Sequence, residues 1–493
     1  MLSKLKQLFK ESIFYGIGNF ITKASGLILL PLYAIYTSKA EIGLLALYES
    51  AFMFLLVVSG WGAKGGFTRW YNEMKSEKDK KSLFFTTYFF NVFTSALGVV
   101  LTGIVLFNLN LFNGADSERV IILFSASSLL KLLFDVPFIL LRLQQKAFKQ
   151  TTYQSINVGL TVLFTIYLLE VRKVGFEGIF LAQLCANGIT LLLVLPLILK
   201  NCHWYFQRKV LGEMIHYGYP LAISNILTLV LTISDRYILE AFYSLEAVGS
   251  FSVAIKVSNL LQFLVVGSFV TSYTYQYYKS MNEDDGTRYH VKIFTYFVLF
   301  MVLAGLAIVF FGKEIIYVIM AGKTEYYDAI PVIPLLIIGL VFSGMRQVFV
   351  LPITKAKKTR LISLVMVLTG VLNISLNFLI IPFFGKEGAA FTTAISQLFA
   401  AVWFLIKVRQ LDGTRYEWRK VSLILLFGII ACISYLYIPS FNWVIDILIK
   451  LVLLLFFVLS LFLFHFFEEI EILRIKQALQ KWKNLKIKSI NKK

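Results

Sequence analysis

Cysteine, histidine and charged residues are all scarce in this chain. Only three cysteines and four histidines occur among 493 residues, and charged residues make up 15% of the sequence. Cys185, Cys202 and Cys432 each lie within or beside a predicted helix, so the pattern does not indicate a disulfide framework. The histidines are scattered and never form a His-Glu-x-x-His motif, so we expect no metal site of that kind.

Sequence signatures of enzymes are also missing. No Gly-x-x-x-x-Gly-Lys-Ser/Thr sequence occurs, so the chain has no P-loop ATPase of its own. A membrane glycosyltransferase or polymerase would be expected to have a sizeable outer loop or paired catalytic carboxylates, and neither is evident. We therefore expect a protein that has no catalytic residues and no bound cofactor.

Apolar residues dominate what is present. The chain is 58% hydrophobic and 16% aromatic, and its mean hydropathy is +0.75, which is typical of a protein with many membrane spans. A net charge of +20 could indicate nucleic acid as a partner. The basic residues stand instead in short clusters between apolar runs, as they do in cytoplasmic loops, so we expect no nucleic-acid binding.

Runs of about 18 or more mostly apolar residues are long enough to cross a bilayer. A backbone in lipid must satisfy its own hydrogen bonds, and these runs lack the alternation of barrel strands, so each predicts a helix. About fourteen spans are predicted, at residues 13–37, 41–63, 83–107, 119–142, 151–170, 176–199, 213–240, 246–278, 289–312, 330–354, 361–382, 388–407, 420–438 and 443–466.

Lysine and arginine predict the orientation. Placing the N-terminus in the cytoplasm puts most of the 48 basic residues on the cytoplasmic side, as the positive-inside rule requires. An even number of spans then returns the C-terminus to the cytoplasm. The first apolar run is too long for a signal peptide and lacks a small-residue cleavage site, so we expect it to remain as the first span.

The final residues form a basic tail. Lysines alternate there with leucine and isoleucine, as in Leu485-Lys-Ile-Lys488. This pattern fits an amphipathic segment that lies on anionic lipid, and it fits a solvated basic tail equally well.

An internal repeat divides the chain. Four short motifs recur at a nearly constant offset, which favours two parallel six-helix halves with a transport site between them. The expected domains are residues 1–212, residues 213–412, two added helices in 413–466, and the tail 467–493. The recurring motifs are Glu11-Ser-Ile-Phe-Tyr-Gly16 with Glu213-Met-Ile-His-Tyr-Gly218, Ala40-Glu-Ile-Gly43 with Glu246-Ala-Val-Gly249, Lys146-Ala-Phe-Lys149 with Lys355-Ala-Lys-Lys358, and Gly175-Phe-Glu-Gly178 with Gly385-Lys-Glu-Gly388.

The opening motifs resemble a known family. Tyr15-Gly-Ile-Gly18, Leu30-Pro-Leu-Tyr33 and Glu41-Ile-Gly43, together with the fourteen spans and short loops, are similar to the polysaccharide repeat-unit flippases, also called O-antigen translocases. That family belongs to the multidrug/oligosaccharidyl-lipid/polysaccharide exporter superfamily. The resemblance covers essentially the whole chain, although the compact motifs lie in its first fifty residues.

The resemblance implies both a fold and a task. The fold would be all α-helical, with two pseudo-symmetric six-helix bundles around a central cavity and two further C-terminal helices, in a bacterial inner membrane. The task would be to move an undecaprenyl-diphosphate-linked oligosaccharide from the cytoplasmic to the periplasmic leaflet during surface polysaccharide or lipopolysaccharide synthesis, by alternating access. Membrane lipids would be partners, and so would the polysaccharide polymerase and the chain-length machinery.

Charged residues inside predicted spans are the candidate functional residues, because an ionisable group at mid-membrane usually faces protein or a water-filled cavity. Some extend into polar stripes at helical spacing, such as Asn373 with Asn377. The candidates for substrate binding are Lys23, Lys256, Arg346, Asn19 and Asn259. The candidates for coupling or gating are Glu49, Asp135, Lys131, Asp235 and Arg236.

Two roles are open for these residues. Lys23, Lys256 and Arg346 are suited to bind a diphosphate, or they are structural partners of Glu49 and Asp135, and pairs that break on opening would serve both roles. Lys131 and Asp135 have the spacing of a local ion pair, and so do Asp446 and Lys450. Asp235 and Arg236 stand near the outer end of their span, where an interfacial role and a lumenal role are both open.

A cationic interior favours an anionic substrate. A drug or small-cation exporter of the same fold is the main alternative, and it would be expected to have acidic residues dominating its cavity. Transport coupled to the membrane potential, to H⁺ or to Na⁺ would agree with the acidic candidates.

The loop charges give a test of topology. Reporter fusions after Lys78 and Lys357 should show cytoplasmic activity, and fusions near Asn113 and Glu325 should report the opposite side, because basic loops stay in the cytoplasm. If fusions at Lys78 and Asn113 reported the same side, the number of spans between them would be wrong.

Overall fold

The computed structural model describes residues 26, 28–109, 116–280, 286–356, 358–436, 438, 442–464 and 466–468. Two predicted substrate-binding residues, Asn19 and Lys23, lie outside these residues, and so does the tail after residue 468. The described residues are helical almost throughout and contain no β-strand, which confirms the expected all-α fold.

Seventeen α-helices follow one another along the described residues. A π-helical turn follows the seventh helix at Tyr167–Val171, another follows the tenth at Gln262–Val266, and a short 3₁₀ helix spans Thr324–Ala329. The α-helices are α1 (residues 28–36), α2 (Lys39–Val58), α3 (Ala63–Glu73), α4 (Glu77–Leu109), α5 (Asp116–Leu132), α6 (Asp135–Leu143), α7 (Ala147–Ile166), α8 (Glu177–Asn201), α9 (Arg208–Phe242), α10 (Leu245–Leu261), α11 (Gly267–Ser280), α12 (Gly286–Phe310), α13 (Gly312–Ile319), α14 (Val332–Lys355), α15 (Thr359–Asp412), α16 (Trp418–Leu436) and α17 (Trp443–Leu463).

Eleven helices among the described residues are long and apolar enough to cross a membrane, so the chain is a multi-pass membrane protein. One of them, Arg360–Leu411, contains two predicted spans on either side of Gly385, whose φ of 55° and ψ of −132° are not helical. The 35-residue helix α9 is not among the eleven, and it carries Glu213, Asp235 and Arg236. The total of about fourteen spans remains a prediction.

The chain forms two compact units. Unit 1 comprises Met1–Asn259, Lys313–Gly339 and Lys358–Ala400, and unit 2 comprises Leu260–Gly312, Leu340–Lys357 and Ala401–Lys493. The predicted division into two six-helix halves concerns symmetry rather than compactness, and it remains a prediction.

The core of unit 1 fixes the helices that surround one of its polar cavities. Phe67 of α3, Phe84 of α4, Val136 of α6, Val194 of α8 and Met214 of α9 are all completely buried in one apolar cluster. Completely buried side chains of this size hold their helices in fixed register, because voids and overpacking both cost stability. Polar residues on the same helices are therefore held in fixed positions.

Unit 2 is held by aromatic stacking and by a network of ion pairs. Phe269 and Phe297 stack with ring centroids 3.8 Å apart. Beyond the end of α17, Glu468 accepts hydrogen bonds from Lys292 at 2.7 Å and from Lys420 at 3.2 Å. These two bonds hold the pKa of Glu468 below its usual value and tie the end of α17 to α12 and α16.

The recurring motif at Glu41-Ile-Gly43 has a structural explanation. Ser38 caps α2: its side chain accepts from the Glu41 backbone N–H, while the Glu41 carboxylate accepts from the Ser38 backbone N–H at 2.7 Å. Two residues later, Gly43 packs directly against the backbone of α10 at Leu245 and Gly249. A Cβ atom on Gly43 would lie 2.9 Å from the Gly249 nitrogen, so only glycine fits there.

This contact predicts a strong effect of a single methyl group. Gly43→Ala should destabilise the protein by roughly 1–3 kcal/mol, because the new Cβ meets rigid backbone rather than a movable side chain. Gly159→Ala on α7 is the matched control, since nothing lies within 4 Å of its Cβ position. Thermal unfolding in detergent and protein abundance in the membrane measure both variants, and equal stability of the two would contradict the contact.

Candidate functional site

Two predicted residues, Glu49 and Lys256, meet in an ion pair. The Lys256 Nζ lies 3.1 Å from the Glu49 Oε1, joining α10 to the middle of α2. The lysine side chain is 18% exposed and the glutamate 36%. This geometry agrees with the pairing role considered from the sequence, and it leaves substrate binding by a released Lys256 open.

Asp135 pairs with a residue that the sequence analysis did not single out. The Lys64 Nζ lies 2.6 Å from the Asp135 Oδ2, and it also donates to the Ser59 hydroxyl at 2.5 Å. The expected local pair of Asp135 with Lys131 does not form, because the chain turns at residues 133–134 between α5 and α6, so the helical spacing is lost. The Lys131 ammonium lies over the Phe52 ring instead.

A cavity of about 550 Å³ opens beside the Lys64–Asp135 pair. The glycine-rich turn at Gly60 and Gly62, with φ values of 81° and 82°, lets the chain fold back from α2 into α3 and places Lys64 at the cavity wall. We call this space the amide cavity because three carboxamide side chains line it. Its polar lining consists of Ser59, Lys64, Asp135, Arg142, Gln150, Gln154 and Asn225.

Apolar side chains complete the amide cavity. Leu56, Val57, Phe138 and Ile139 form the rest of its side-chain lining together with Ala222. Apolar side chains together with convergent polar groups are typical of a binding site for a small organic molecule.

Asp235 stands in a second polar cluster. It is 6% exposed and accepts hydrogen bonds from Asn377 at 2.9 Å and from Thr393 at 3.1 Å. Asn377 also donates to Asn373 at 3.1 Å, so the predicted polar stripe on α15 does face one site. A cavity of about 90 Å³ adjoins these groups, which offer one carboxylate and several neutral oxygens to a proton or a small hard cation.

The remaining candidates are distributed over both units. Arg236 donates to the Ser50 hydroxyl and thereby joins α9 to α2. In unit 2, Arg346 donates to the Ser343 hydroxyl one turn earlier on α14, at 3.2 Å. Asn259 lies three residues after Lys256 on α10 and is half-buried.

The local pair predicted on the C-terminal helix is confirmed. The Lys450 Nζ lies 2.7 Å from the Asp446 Oδ2, and the lysine side chain is completely buried. Two aromatic rings, of Phe311 and Tyr435, lie within 6 Å of the ammonium. This pair belongs to unit 2 and serves its packing.

A third charged cluster surrounds Asp328 in the short 3₁₀ helix. The carboxylate accepts from Lys39 at 2.7 Å, from Lys386 at 2.5 Å and from the Ser250 hydroxyl at 2.9 Å. Lys39 begins α2, Ser250 belongs to α10, and Lys386 follows the break in α15. We call this cluster the Asp328 clasp, because one carboxylate holds three separate helices.

Sequence reasoning missed Lys64, Arg142 and the Asp328 clasp for one common reason. All of them stand at the ends of helices, beyond or at the edge of the predicted spans, where a charge is ordinary. The glycines around Lys64 gave a signal of a tight turn, and the spacing of Gln150 and Gln154 gave a signal of a shared face. Neither was used.

Comparison with known proteins identifies the family. A family model described as "Polysaccharide biosynthesis protein" matches residues 8–275, more than half of the chain. That range contains both ion pairs, Glu49 with Lys256 and Lys64 with Asp135. The chain belongs to this family.

A second family model, described as MatE, matches residues 220–379 of this polysaccharide biosynthesis protein. The two matches together place it in the multidrug/oligosaccharidyl-lipid/polysaccharide exporter superfamily. The expected superfamily is thereby confirmed, and it is one of transporters rather than of enzymes.

Solved structures support the same fold. Lipid II flippase MurJ in an inward closed conformation has a TM-score of 0.70 at 19% identity, covering 90% of this chain and 98% of that one. A multidrug resistance MATE family transporter in an inward-facing conformation has a TM-score of 0.61 at 15% identity, covering 80% and 96%. At such identities the likeness establishes the fold alone.

One curated relative also matches this family member. An uncharacterized membrane protein of Methanocaldococcus jannaschii is 24% identical over 231 residues, which is 46% of this chain. The match spans 45% of that relative's length.

The Asp328 clasp predicts a pH-dependent contribution to stability. Burial raises the pKa of Asp328, but hydrogen bonds from Lys386, Lys39 and Ser250 outweigh it and hold the pKa below its usual value. Such a carboxylate stabilises the fold above its unfolded pKa of about 3.9, and the contribution is lost as the pH falls through the lower folded value. Asp328→Asn should therefore lower the melting temperature at pH 7 and have progressively less effect below about pH 4.

The exposed Glu170→Gln is the matched control for this measurement. Its melting temperature should follow that of the unchanged protein at every pH. If the melting temperature of Asp328→Asn stayed below that of the unchanged protein by the same amount down to the lowest accessible pH, the Asp328 clasp would not be an ionic contact.

Proposed function

We propose that the protein is a flippase that moves undecaprenyl-diphosphate-linked oligosaccharide repeat units across a bacterial inner membrane by alternating access. The observation that carries this proposal is a polar interior in which basic groups outnumber acids beside the amide cavity. Lys64 and Arg142 line that cavity, and Asp135 is the only acid among its described lining residues. Such a site suits a phosphate-bearing saccharide, because guanidinium and ammonium groups bind phosphate and carboxamides bind hydroxyls.

Family membership supports this proposal. The matching family model is described by polysaccharide biosynthesis, and MurJ, a flippase for a lipid-linked molecule, shares the fold. The biological setting that we propose is assembly of a surface polysaccharide such as O-antigen, with the polysaccharide polymerase and chain-length machinery as partners. Both termini would lie in the cytoplasm.

A drug exporter of the same fold is the second candidate, and the Asp235 cluster is the observation that favours it. A buried carboxylate among neutral oxygens suits a cation, whether a drug or a coupling ion. The cavity beside Asp235 is only about 90 Å³, too small for a drug, so we assign it to a coupling ion, H⁺ or Na⁺.

Lys256 is the residue at which to test the flippase. In proteoliposomes, a fluorescent polyprenyl-diphosphate disaccharide should become accessible to an impermeant quencher at a rate that depends on the protein. Lys256→Ala should lower that rate about ten- to a hundredfold, because a charge-assisted hydrogen bond to phosphate in a low-dielectric site is worth about 1.5–3 kcal/mol. The exposed Lys78→Ala should leave the rate unchanged.

The double variant Glu49→Gln with Lys256→Met separates the two roles of the ion pair. If the double variant is as abundant in the membrane as the unchanged protein but still does not transport the lipid, the result would support substrate binding by Lys256. Recovery of both abundance and transport would show that Lys256 only neutralises Glu49, and failure of the unchanged protein to move the lipid would refute the flippase itself.

Charge movement predicts the energetics of transport. A diphosphate that carries about two negative charges outward gains about 2.3 kcal/mol per charge per 100 mV from an inside-negative potential. A potassium diffusion potential set with valinomycin should therefore accelerate transport. Asp235→Asn should abolish any further acceleration by a Na⁺ or H⁺ gradient, because it removes the charge that would bind the cation.

Thr369→Val is the matched control, since Thr369 lines the same small cavity without contributing charge. It should retain most of the response to the ion gradient. Transport by the unchanged protein that ignored an imposed potential would contradict movement of net charge.

A further inference from the structure

The polar groups of the amide cavity fall into two classes. Lys64 donates to both Asp135 and Ser59, and these three residues form a fixed part of the wall. Four others, Arg142, Gln150, Gln154 and Asn225, make no side-chain hydrogen bond or ion pair with any residue that the structure describes. The second class therefore retains its full capacity to bind a ligand.

Gln150 is the most informative member of this class. The residue is only 7% exposed, and its Oε1 is buried without a hydrogen-bond partner among the described residues. The great majority of buried polar atoms do have such a partner, because an unmade bond is costly. Gln150 lines the cavity and its oxygen has no partner among the described residues, so a rotation of its side chain can present the whole carboxamide to a molecule that enters the cavity.

The four groups converge from three helices. Gln150 and Gln154 stand one turn apart on α7 and share a face of it. Arg142 comes from the last turn of α6, and Asn225 comes from α9. Each carboxamide offers both donors and an acceptor, and the guanidinium offers a fork of donors that matches a phosphate.

Charge and shape narrow the chemistry of the ligand. Asp135 neutralises Lys64, so Arg142 leaves one net positive charge that favours an anion. Phe138 and Ile139 supply an apolar wall for the non-polar face of a ring. A polyprenyl chain would leave the carboxamides without partners, and a cationic drug would meet the guanidinium, so neither fits.

We infer that the amide cavity binds the sugar that adjoins the diphosphate, with its phosphate on Arg142 and its hydroxyl or acylamino groups on Gln150, Gln154 and Asn225. This inference rests on the proposed flippase function and adds a headgroup-recognition site to it. The cavity volume of about 550 Å³ falls within the range of about 300–1,000 Å³ that is usual for small-molecule sites.

Binding of soluble headgroup fragments to the full-length protein in detergent tests the inference. The probes are glucose 1-phosphate, galactose 1-phosphate, N-acetylglucosamine 1-phosphate and inorganic phosphate, with affinity measured by ligand-detected NMR. At least one sugar phosphate should bind more tightly than inorganic phosphate. Gln150→Met together with Gln154→Met should weaken that sugar phosphate about tenfold and leave inorganic phosphate unchanged, whereas Arg142→Gln should weaken both.

Stability supplies an independent readout. Gln150→Met removes a buried amide oxygen that has no hydrogen-bond partner among the described residues, so the melting temperature should stay the same or rise. Gln144→Met is the matched control, because the Gln144 amide donates to Tyr71 and Asn201 outside the cavity. The control should lower the melting temperature and leave sugar phosphate binding intact.

Three results would overturn the inference. They are failure of every sugar phosphate to exceed inorganic phosphate, unchanged binding in the double glutamine variant, and a loss of stability in Gln150→Met equal to that in Gln144→Met. The proteoliposome assay distinguishes the two levels of the argument. If the double glutamine variant still transported the lipid-linked disaccharide at the normal rate, the sugar site alone would be refuted. If the unchanged protein did not transport it, the flippase would be refuted.

Discussion

Charges in the interior of unit 1 are held by partners on other helices. Glu49 meets Lys256, Lys64 meets Asp135, and Asp235 is held by Asn377 and Thr393. In lipid, apolar surfaces give little preference for one neighbouring helix over another, because lipid tails are as apolar as the side chains. Polar contacts therefore decide which helices of unit 1 meet, and the apolar cluster around α3 then fixes their register. Two of these three contacts, at Asp135 and at Asp235, also line cavities, so folding and the candidate sites share residues.

Local features were predictable from the sequence because they depend on helical spacing alone. Apolar runs gave the spans, and four-residue spacing gave the Asp446–Lys450 pair and the stripe of Asn373 and Asn377. The same rule was wrong for Lys131 and Asp135, since it assumes an unbroken helix and the chain turns between α5 and α6. Pro137, in the first turn of α6, is the sequence signal of this break, because proline has no backbone N–H to continue the helix from Leu133.

Features that depend on the arrangement of helices were less accessible. Lys256 was named as a possible structural partner of Glu49, so that pair was among the alternatives. The amide cavity was not among the predictions. Gln150 and Asn225 are neutral and belong to none of the polar stripes that the sequence indicated, and α6, α7 and α9 had to be positioned before their side chains could converge. Arg142 was passed over for a related reason: at the end of a helix, a basic residue looks like an ordinary member of a cytoplasmic loop.

The capped start of α2 bears on how the chain is assembled during synthesis. The Ser38–Glu41 box satisfies the first turn from within the segment itself, so α2 can leave the ribosome and partition into the bilayer as a finished unit. The surface of α2 at Gly43 contacts α10, which is translated roughly 200 residues later. That contact is so close that no Cβ atom fits between the two helices. Until that partner arrives, the small-residue face of α2 stands open to lipid or to another nascent helix. In this order of synthesis α2 enters the bilayer early and gains its contact with α10 late.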